Sequence, residues 1–159
     1  MTAWLRWLGI LFGRRPPAMQ VGAVCRCPAT GRVVLVTSRG TGRWVIPKGW
    51  PMEGRTLAGA AAAEAWEEAG VRGRILDAEL GRYRYDKEQD QGYVIPVEVR
   101  VFLLEVDHLR PDFPESAQRK RCWFPPAEAA RRVAEPGLRD ILLDLPPPIG
   151  ALPAAEAGS

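Results

Sequence analysis

The stretch from Trp44 to Val71, WVIPKGWPMEGRTLAGAAAAEAWEEAGV, constrains this chain more than any other part of it. Its short apolar run, Trp44 to Ile46, reads as a strand that breaks at Pro47. A loop punctuated by Gly49, Pro51 and Gly54 follows, then an alanine-rich run from Leu57 to Ala69. Alanine is the strongest helix former, so that run predicts a helix. Thr56 is placed to cap its start, and Gly70 to close its end in the left-handed conformation. Glu64, Glu67 and Glu68 stand at i, i+3 and i+4 and share one helix face. Ala62, Ala65, Trp66 and Ala69 are expected on the opposite, buried side.

Like charges on one helix face, with no interleaved lysine, cost about 0.2–0.5 kcal/mol per pair. A hard divalent cation would supply the missing positive charge, and ligands made only of oxygen suit Mg²⁺ or Mn²⁺. A solvated acidic face is the alternative, and three carboxylates taken alone favour it.

A chain of 159 residues has room for one domain with its own core. The formal net charge is +3 and the isoelectric point about 9.0, which suits an anionic ligand without requiring a nucleic acid. Three cysteines, an odd number, argue against a disulfide framework and for a reducing, cytoplasmic setting. Cys25 and Cys27 read as strand residues of the core, since no second C-x-C or nearby histidine completes a zinc site. His108 is the single histidine and falls in the loop-like stretch Asp107 to Asp112. Serine–histidine and cysteine–histidine hydrolase schemes are thereby disfavoured, and acid–base work falls to carboxylates.

Residues 1–17 form an extension in which Trp4, Trp7, Leu8 and Leu11 recur at helical spacing. An amphipathic helix packed on the domain is expected there, in preference to one touching a membrane. Residues 18–145 form the domain. Met19 to Cys27 and Arg32 to Thr37 read as strands joined by the turn Pro28 to Gly31. Strands are also expected at Arg74 to Ala78, Glu79 to Lys87, Tyr93 to Val106 and Arg119 to Phe124, with Pro96 marking an edge or bulge. Helices are expected at Pro126 to Ala134 and from Pro136, the latter burying Leu138, Ile141, Leu142 and Leu145. Residues 146–159 are rich in Pro and Ala and read as a loose tail. The order predicts an α/β fold, a mixed sheet held between helices.

Gly49, Glu64, Glu67, Glu68, Gly70 and Val71 stand at the spacings of the Nudix box, G-x5-E-x7-R-E-U-x-E-E-x-G-U, where U is aliphatic. The chain therefore resembles the Nudix hydrolase superfamily, which implies an α/β/α sandwich and metal-dependent hydrolysis of phosphoanhydrides. Two positions depart from the box: Arg55 replaces its first glutamate, and Ala63 replaces the arginine that orients the carboxylates. AVCRC, LVTSRGTGRWVIPKG, EEAGVRG and RKRCWF extend the resemblance to the diphosphoinositol polyphosphate phosphohydrolase branch, which includes hydrolases of diadenosine polyphosphates.

The resemblance implies Mg²⁺ or Mn²⁺ held by Glu64 and Glu68, with Glu67 a further ligand or the general base; Glu64 and Glu67 are thus the catalytic candidates. It also implies a main-chain oxygen of Lys48 on the metal. Glu115 is the candidate for an extra carboxylate, with Glu88 its rival. Arg39, Arg43, Lys48, Gly49, Trp50, Arg55, Arg119 and Arg121 are the candidates for holding a small polyphosphorylated substrate. Arg26 or Lys120 is expected to be solvated surface charge, and Trp50 either stacks on a base or plugs its loop. A binding module without efficient turnover is the competing reading. Either a monomer or a homodimer is compatible with the sequence.

Overall fold

The computed structural model describes residues 16–148. The N-terminal extension up to Arg15 and the tail beyond Pro148 lie outside them, and so do the expectations placed there. Among the described residues no helix is long and apolar enough to cross a membrane.

The sheet has seven strands: β1 (Ala18–Arg26), β2 (Val33–Thr37), β3 (Trp44–Val45), β4 (Lys48–Gly49), β5 (Val71–Glu88), β6 (Val94–Leu109) and β7 (Arg121–Phe124). Its backbone order is β3-β2-β1-β6-β5, with β4 beside β1 and β7 beside β2. Among the described strands only β1 and β6 run parallel, from Ala18 opposite Val97 to Arg26 opposite Glu105. Among the described residues three α-helices flank the sheet: α1 (Leu57–Ala69), α2 (Pro126–Arg132) and α3 (Pro136–Leu143).

Strand alternation divides the core in two. Val21, Ala23 and Cys25 of β1, with Val34 and Val36 of β2 and Phe102 and Leu104 of β6, face α1. Val24, Val33, Leu35, Val97, Val99, Val101 and Leu103 face the other way, onto Ala129, Ala130, Leu138 and Leu142 of α2 and α3. Helices on both sides of one mixed sheet make the α/β/α sandwich. Ala58, Ala61, Ala65 and Ala69 form the buried stripe of α1. Trp66 and Ala62 are only half-buried, and the Arg72 guanidinium lies 3.8 Å from the Trp66 ring centroid. A stripe made of methyl groups lets the helix lie close on the sheet, which brings its acidic face down to the strand edge.

Strand β1 is paired along its whole length with β6, so β2 and β4 must share its other edge. They do so in sequence: Val21 and Gly22 face Gly49 and Lys48, while Cys25 and Arg26 face Val34 and Val33. Strand β2 is shared in the same way, with Val36 and Thr37 turned to Val45 and Trp44 of β3. Strands β1 and β2 therefore part, and the segment from Trp44 to Gly49 wedges between them. That wedge carries Lys48 and Gly49 beneath α1.

Several expectations need correction. The two strands read between Arg74 and Lys87 are one, β5, interrupted by register shifts between Ile75 and Gly81. His108 is not in a loop: it lies in β6, opposite Arg72. Pro96, by contrast, marks an edge as expected: it pairs with Asp86 beyond the end of β1, where β6 has one described neighbour rather than two. Of Arg26 and Lys120, Lys120 is the exposed one and Arg26 is not surface charge. Arg26 is 3% exposed, ion-paired with Glu105, and donates to the Pro146 carbonyl, which fastens the first residues of the expected tail.

Candidate active site

Local chemistry builds α1 as expected. The Thr56 hydroxyl accepts from the Gly59 N–H at 2.9 Å. Gly70 turns the chain at φ 65°, and its N–H donates to Trp66 O at 2.9 Å. Ending the helix there matters, because the next loop closes over it. The Glu115 N–H donates to Glu67 O at 3.0 Å, and the Arg110 N–H donates to Gly70 O at 2.9 Å.

A cleft of about 380 Å³ opens between the wedge, the acidic face of α1 and the loop before β7. Glu64, Glu67, Glu68 and Glu115 all line it, together with Lys48, Gly49 and Trp50. Glu64 and Glu68 are buried, at 8% and 7% exposure, whereas Glu67 is exposed. Gly49 packs so tightly on Glu64 that a β-carbon there would overlap the carboxylate. The Lys48 N–H donates to Glu68 Oε2 at 3.1 Å. Arg119 Nη2 stands 3.1 Å from Glu68 Oε1 and 3.1 Å from Glu115 Oε1. Arg39 Nε is 3.3 Å from the same Glu115 oxygen.

Glu64 has no comparable partner among the described residues. Burial pushes its carboxyl up to about 7, aided by the charges of Glu68, Glu67 and Glu115. Burial also raises Glu68, but Arg119 and the Lys48 N–H oppose the rise. The Lys48 ammonium is drawn down by burial and lies 5.1 Å from the centroid of the Tyr85 ring. Among the described residues no three His, Cys, Asp or Glu side chains stand close enough together to cage an ion as they are placed.

The other candidates divide. Arg43 lines an adjoining lobe of about 370 Å³, which shares Lys48 and Tyr85 with the first. Glu88, the rival of Glu115, lines that second lobe. Arg55 lines neither lobe; it is exposed in the turn before α1. Arg121 also lies outside: its Nη1 donates to Ala69 O at 2.7 Å and Arg110 O at 2.8 Å, so it closes the C-terminus of α1. Arg119 is in the cleft, but its side chain is 7% exposed and committed to carboxylates.

Sequence reasoning passed over Gln20, Tyr85 and Lys87, which line the cleft as well. The Tyr85 hydroxyl donates to Gln20 Oε1 at 2.6 Å. The alternation of Tyr83 and Tyr85 with two arginines was the available signal, since it placed both rings on one face of β5.

The family model for the NUDIX domain matches residues 16–145. The chain belongs to the NUDIX domain family. Nudix hydrolase 16, mitochondrial, of Arabidopsis thaliana is 31% identical over 71% of this chain and 64% of its own length. Diphosphoinositol polyphosphate phosphohydrolase 3-alpha of Mus musculus is 35% identical over 69% of this chain and 66% of its own. The matched region thus spans a little under two thirds of either relative. Among solved structures, the dihydroneopterin triphosphate pyrophosphohydrolase of E. coli superposes with a TM-score of 0.62 at 19% identity, covering 78% of this chain and 91% of that one. The Ap4A hydrolase of C. elegans gives 0.54 at 20%, covering 80% and 95%. At those identities the superpositions speak for the NUDIX fold alone.

Proposed function

We propose that this chain is a divalent-metal-dependent pyrophosphohydrolase that cleaves a phosphoanhydride bond in a dinucleoside polyphosphate. The Glu64 carboxylate carries the reading. It is buried against Gly49, lacks a described donor, and faces the same cleft as Glu67, Glu68 and Glu115. A buried anion without a partner is costly, and a bound cation removes that cost.

The residues present fit a hard cation, because every side-chain donor is a carboxylate oxygen. Glu64 and Glu68 would hold it, with Glu115 as an additional ligand and a main-chain oxygen of Lys48 beside them. Bound there, Mg²⁺ or Mn²⁺ neutralises phosphate charge and acidifies a coordinated water. Glu67, the exposed member of the cluster, is the residue free to accept a proton from an attacking water. Lys48, Arg39 and Arg43 would orient the phosphate chain, and Trp50, 45% exposed at the rim, offers a ring to a base.

The charge of the cleft favours the dinucleoside class. Before the charge of a bound cation is added, the two lobes together carry five basic side chains (Arg39, Arg43, Lys48, Lys87, Arg119) against eight acidic ones, a net of −3, and one divalent cation leaves −1. Two of the five, Arg39 and Arg119, already face carboxylates. A densely phosphorylated inositol ring needs a cationic bed, which these lobes do not provide. A dinucleoside polyphosphate concentrates its charge in the chain that would cross the metal, and leaves its nucleosides uncharged for the rest of the cleft. The absence of a disulfide framework in the sequence accords with work in the cytoplasm.

Release of nucleotide or phosphate from dinucleoside polyphosphates, diphosphoinositol phosphates, ADP-ribose and nucleoside triphosphates, with and without Mg²⁺ or Mn²⁺, tests the reading. Metal-dependent turnover of the dinucleoside class is expected, and Glu68→Gln should abolish it while leaving the fold intact. Preference for diphosphoinositol phosphates would overturn the charge argument. The second reading, a binding module, is favoured by Arg55 and Ala63, since Arg55 makes no ion pair among the described residues. Tight ligand binding with no turnover across the panel would select it.

A further inference from the structure

We propose that Arg119 is a positioning residue, which sets the places of Glu68 and Glu115 for a cation rather than binding substrate. The inference rests on the metal-dependent reading of the cleft. Helix α1, LAGAAAAEAWEEA, contains no basic side chain, so positive charge for its acidic face must come from elsewhere in the chain. It comes from the loop before β7.

The guanidinium is held from three directions. Nη1 donates to the Thr37 carbonyl at 3.0 Å, at the end of β2. Nε and Nη2 donate to Glu115 Oε1 at 3.3 and 3.1 Å. Nη2 is also 3.1 Å from Glu68 Oε1. A planar fork can hold three acceptors at fixed directions, which a lysine cannot. The backbone around it is latched as well: the Thr37 N–H donates to Lys120 O at 3.0 Å, and the Lys120 N–H donates to Thr37 Oγ1 at 2.9 Å. Arg119 is therefore a rigid bracket between β2, the loop and α1.

The bracket divides the carboxylates into two kinds. Glu68 is held on both oxygens, by Arg119 and by the Lys48 N–H. Glu115 is held on Oε1 alone, and Glu64 is held on neither. Among the described residues, one oxygen of Glu115 and the whole Glu64 carboxylate thus carry no hydrogen bond, and each oxygen of Glu68 keeps a second lone pair; the bracket fixes Glu68 and Glu115 where a cation would meet them before it arrives. Outer groups that orient ligands commonly govern metal affinity by one to two orders of magnitude.

Two physical effects of removing Arg119 have opposite signs, and this makes the proposal testable. Deleting a nearby positive charge strengthens cation binding by Coulomb's law; releasing Glu68 and Glu115 weakens it. Mn²⁺ binding by titration calorimetry, with the thermal midpoint in chelator and in Mn²⁺, should be measured on the full chain and on Arg119→Gln and Arg119→Lys. Hydrolysis at saturating Mn²⁺ is measured alongside.

Arg119→Gln should raise the Mn²⁺ dissociation constant about tenfold or more. It should lower kcat with KM for the nucleotide unchanged, and Arg119→Lys should recover part of both losses. Unchanged or tighter Mn²⁺ binding in Arg119→Gln overturns the proposal, as does a rise in KM alone, which is the mark of a substrate contact. Should Arg119→Gln not fold, Arg119→Lys decides on the same criteria. A wild-type chain that binds Mn²⁺ without hydrolysing anything leaves the calorimetric comparison standing and removes only the enzymatic reading. A wild-type chain that takes up no Mn²⁺ removes both.

Discussion

Gly49 and Glu64 are packed so that the carboxylate occupies the space where a β-carbon of residue 49 would sit. The atom in the way is the far end of a flexible side chain, so the fold has an escape that the site lacks. Gly49→Ala should cost only about 1 kcal/mol in stability, read as a small fall in thermal midpoint. The same variant should lose at least tenfold in metal-dependent turnover, because Glu64 must swing out of place. Full activity would show that this carboxylate tolerates displacement.

The same burial sets a pH dependence. The folded Glu64 carboxyl, pushed up to about 7, lies above its ordinary value of 4.5, so the folded chain holds that proton more tightly than the unfolded one. In chelator this group's contribution is therefore favourable at low pH and is lost as pH rises through about 4.5 to 7, on the order of 3 kcal/mol in all. Glu64→Gln should flatten that part of the stability profile and raise stability near pH 8. Mg²⁺ should stabilise the wild type more at pH 8 than at pH 5.5, and the variant less at either. Denaturant midpoints across pH check each statement.

Arg121 caps the end of α1 and spans it to Arg110, with its guanidinium 5.0 Å from the Phe113 ring centroid. Arg121→Ala should lower stability by about 1–2 kcal/mol, with kcat and KM of the folded protein retained. A raised KM would return Arg121 to the substrate.

Arg26 and Glu105 form a buried pair across β1 and β6, and Glu105 Oε2 has no partner among the described residues. Arg26→Ala leaves an isolated buried carboxylate and should cost about 3–5 kcal/mol. The double replacement Arg26→Met with Glu105→Leu should cost far less. Urea midpoints of the three proteins decide the matter.

Helix α1 was legible because its caps, its length and its acidic spacing are local properties, each satisfied within a few residues. The alternating strands on both core faces were legible for the same reason. Arg26 was not. An arginine within AVCRC looks solvated until Glu105 is known to lie opposite it, and parallel register is not written in either strand alone. Arg119 and Arg121 belong to one basic cluster with identical local chemistry. Only the loop from Arg110 to Lys120 sends one into the cleft and the other beneath a helix end. Gln20 was invisible because its partner, Tyr85, lies on β5, across β6. The bulges of β5 were equally hidden, since a continuous long strand and two short ones share the same residue preferences.

The parallel pairing of Ala18 with Val97 has a temporal meaning. The wedge that presents Lys48 and Gly49 hangs on β1, yet β1 gains its main partner only after β6 has been synthesised. Arg119 and Glu115 arrive later still. During synthesis the three glutamates of α1 are therefore present long before anything can arrange them, and a half-made chain has no assembled cleft. Contacts this distant in sequence form slowly, so activity should appear as the last event of folding, in one step with the closing of the sheet.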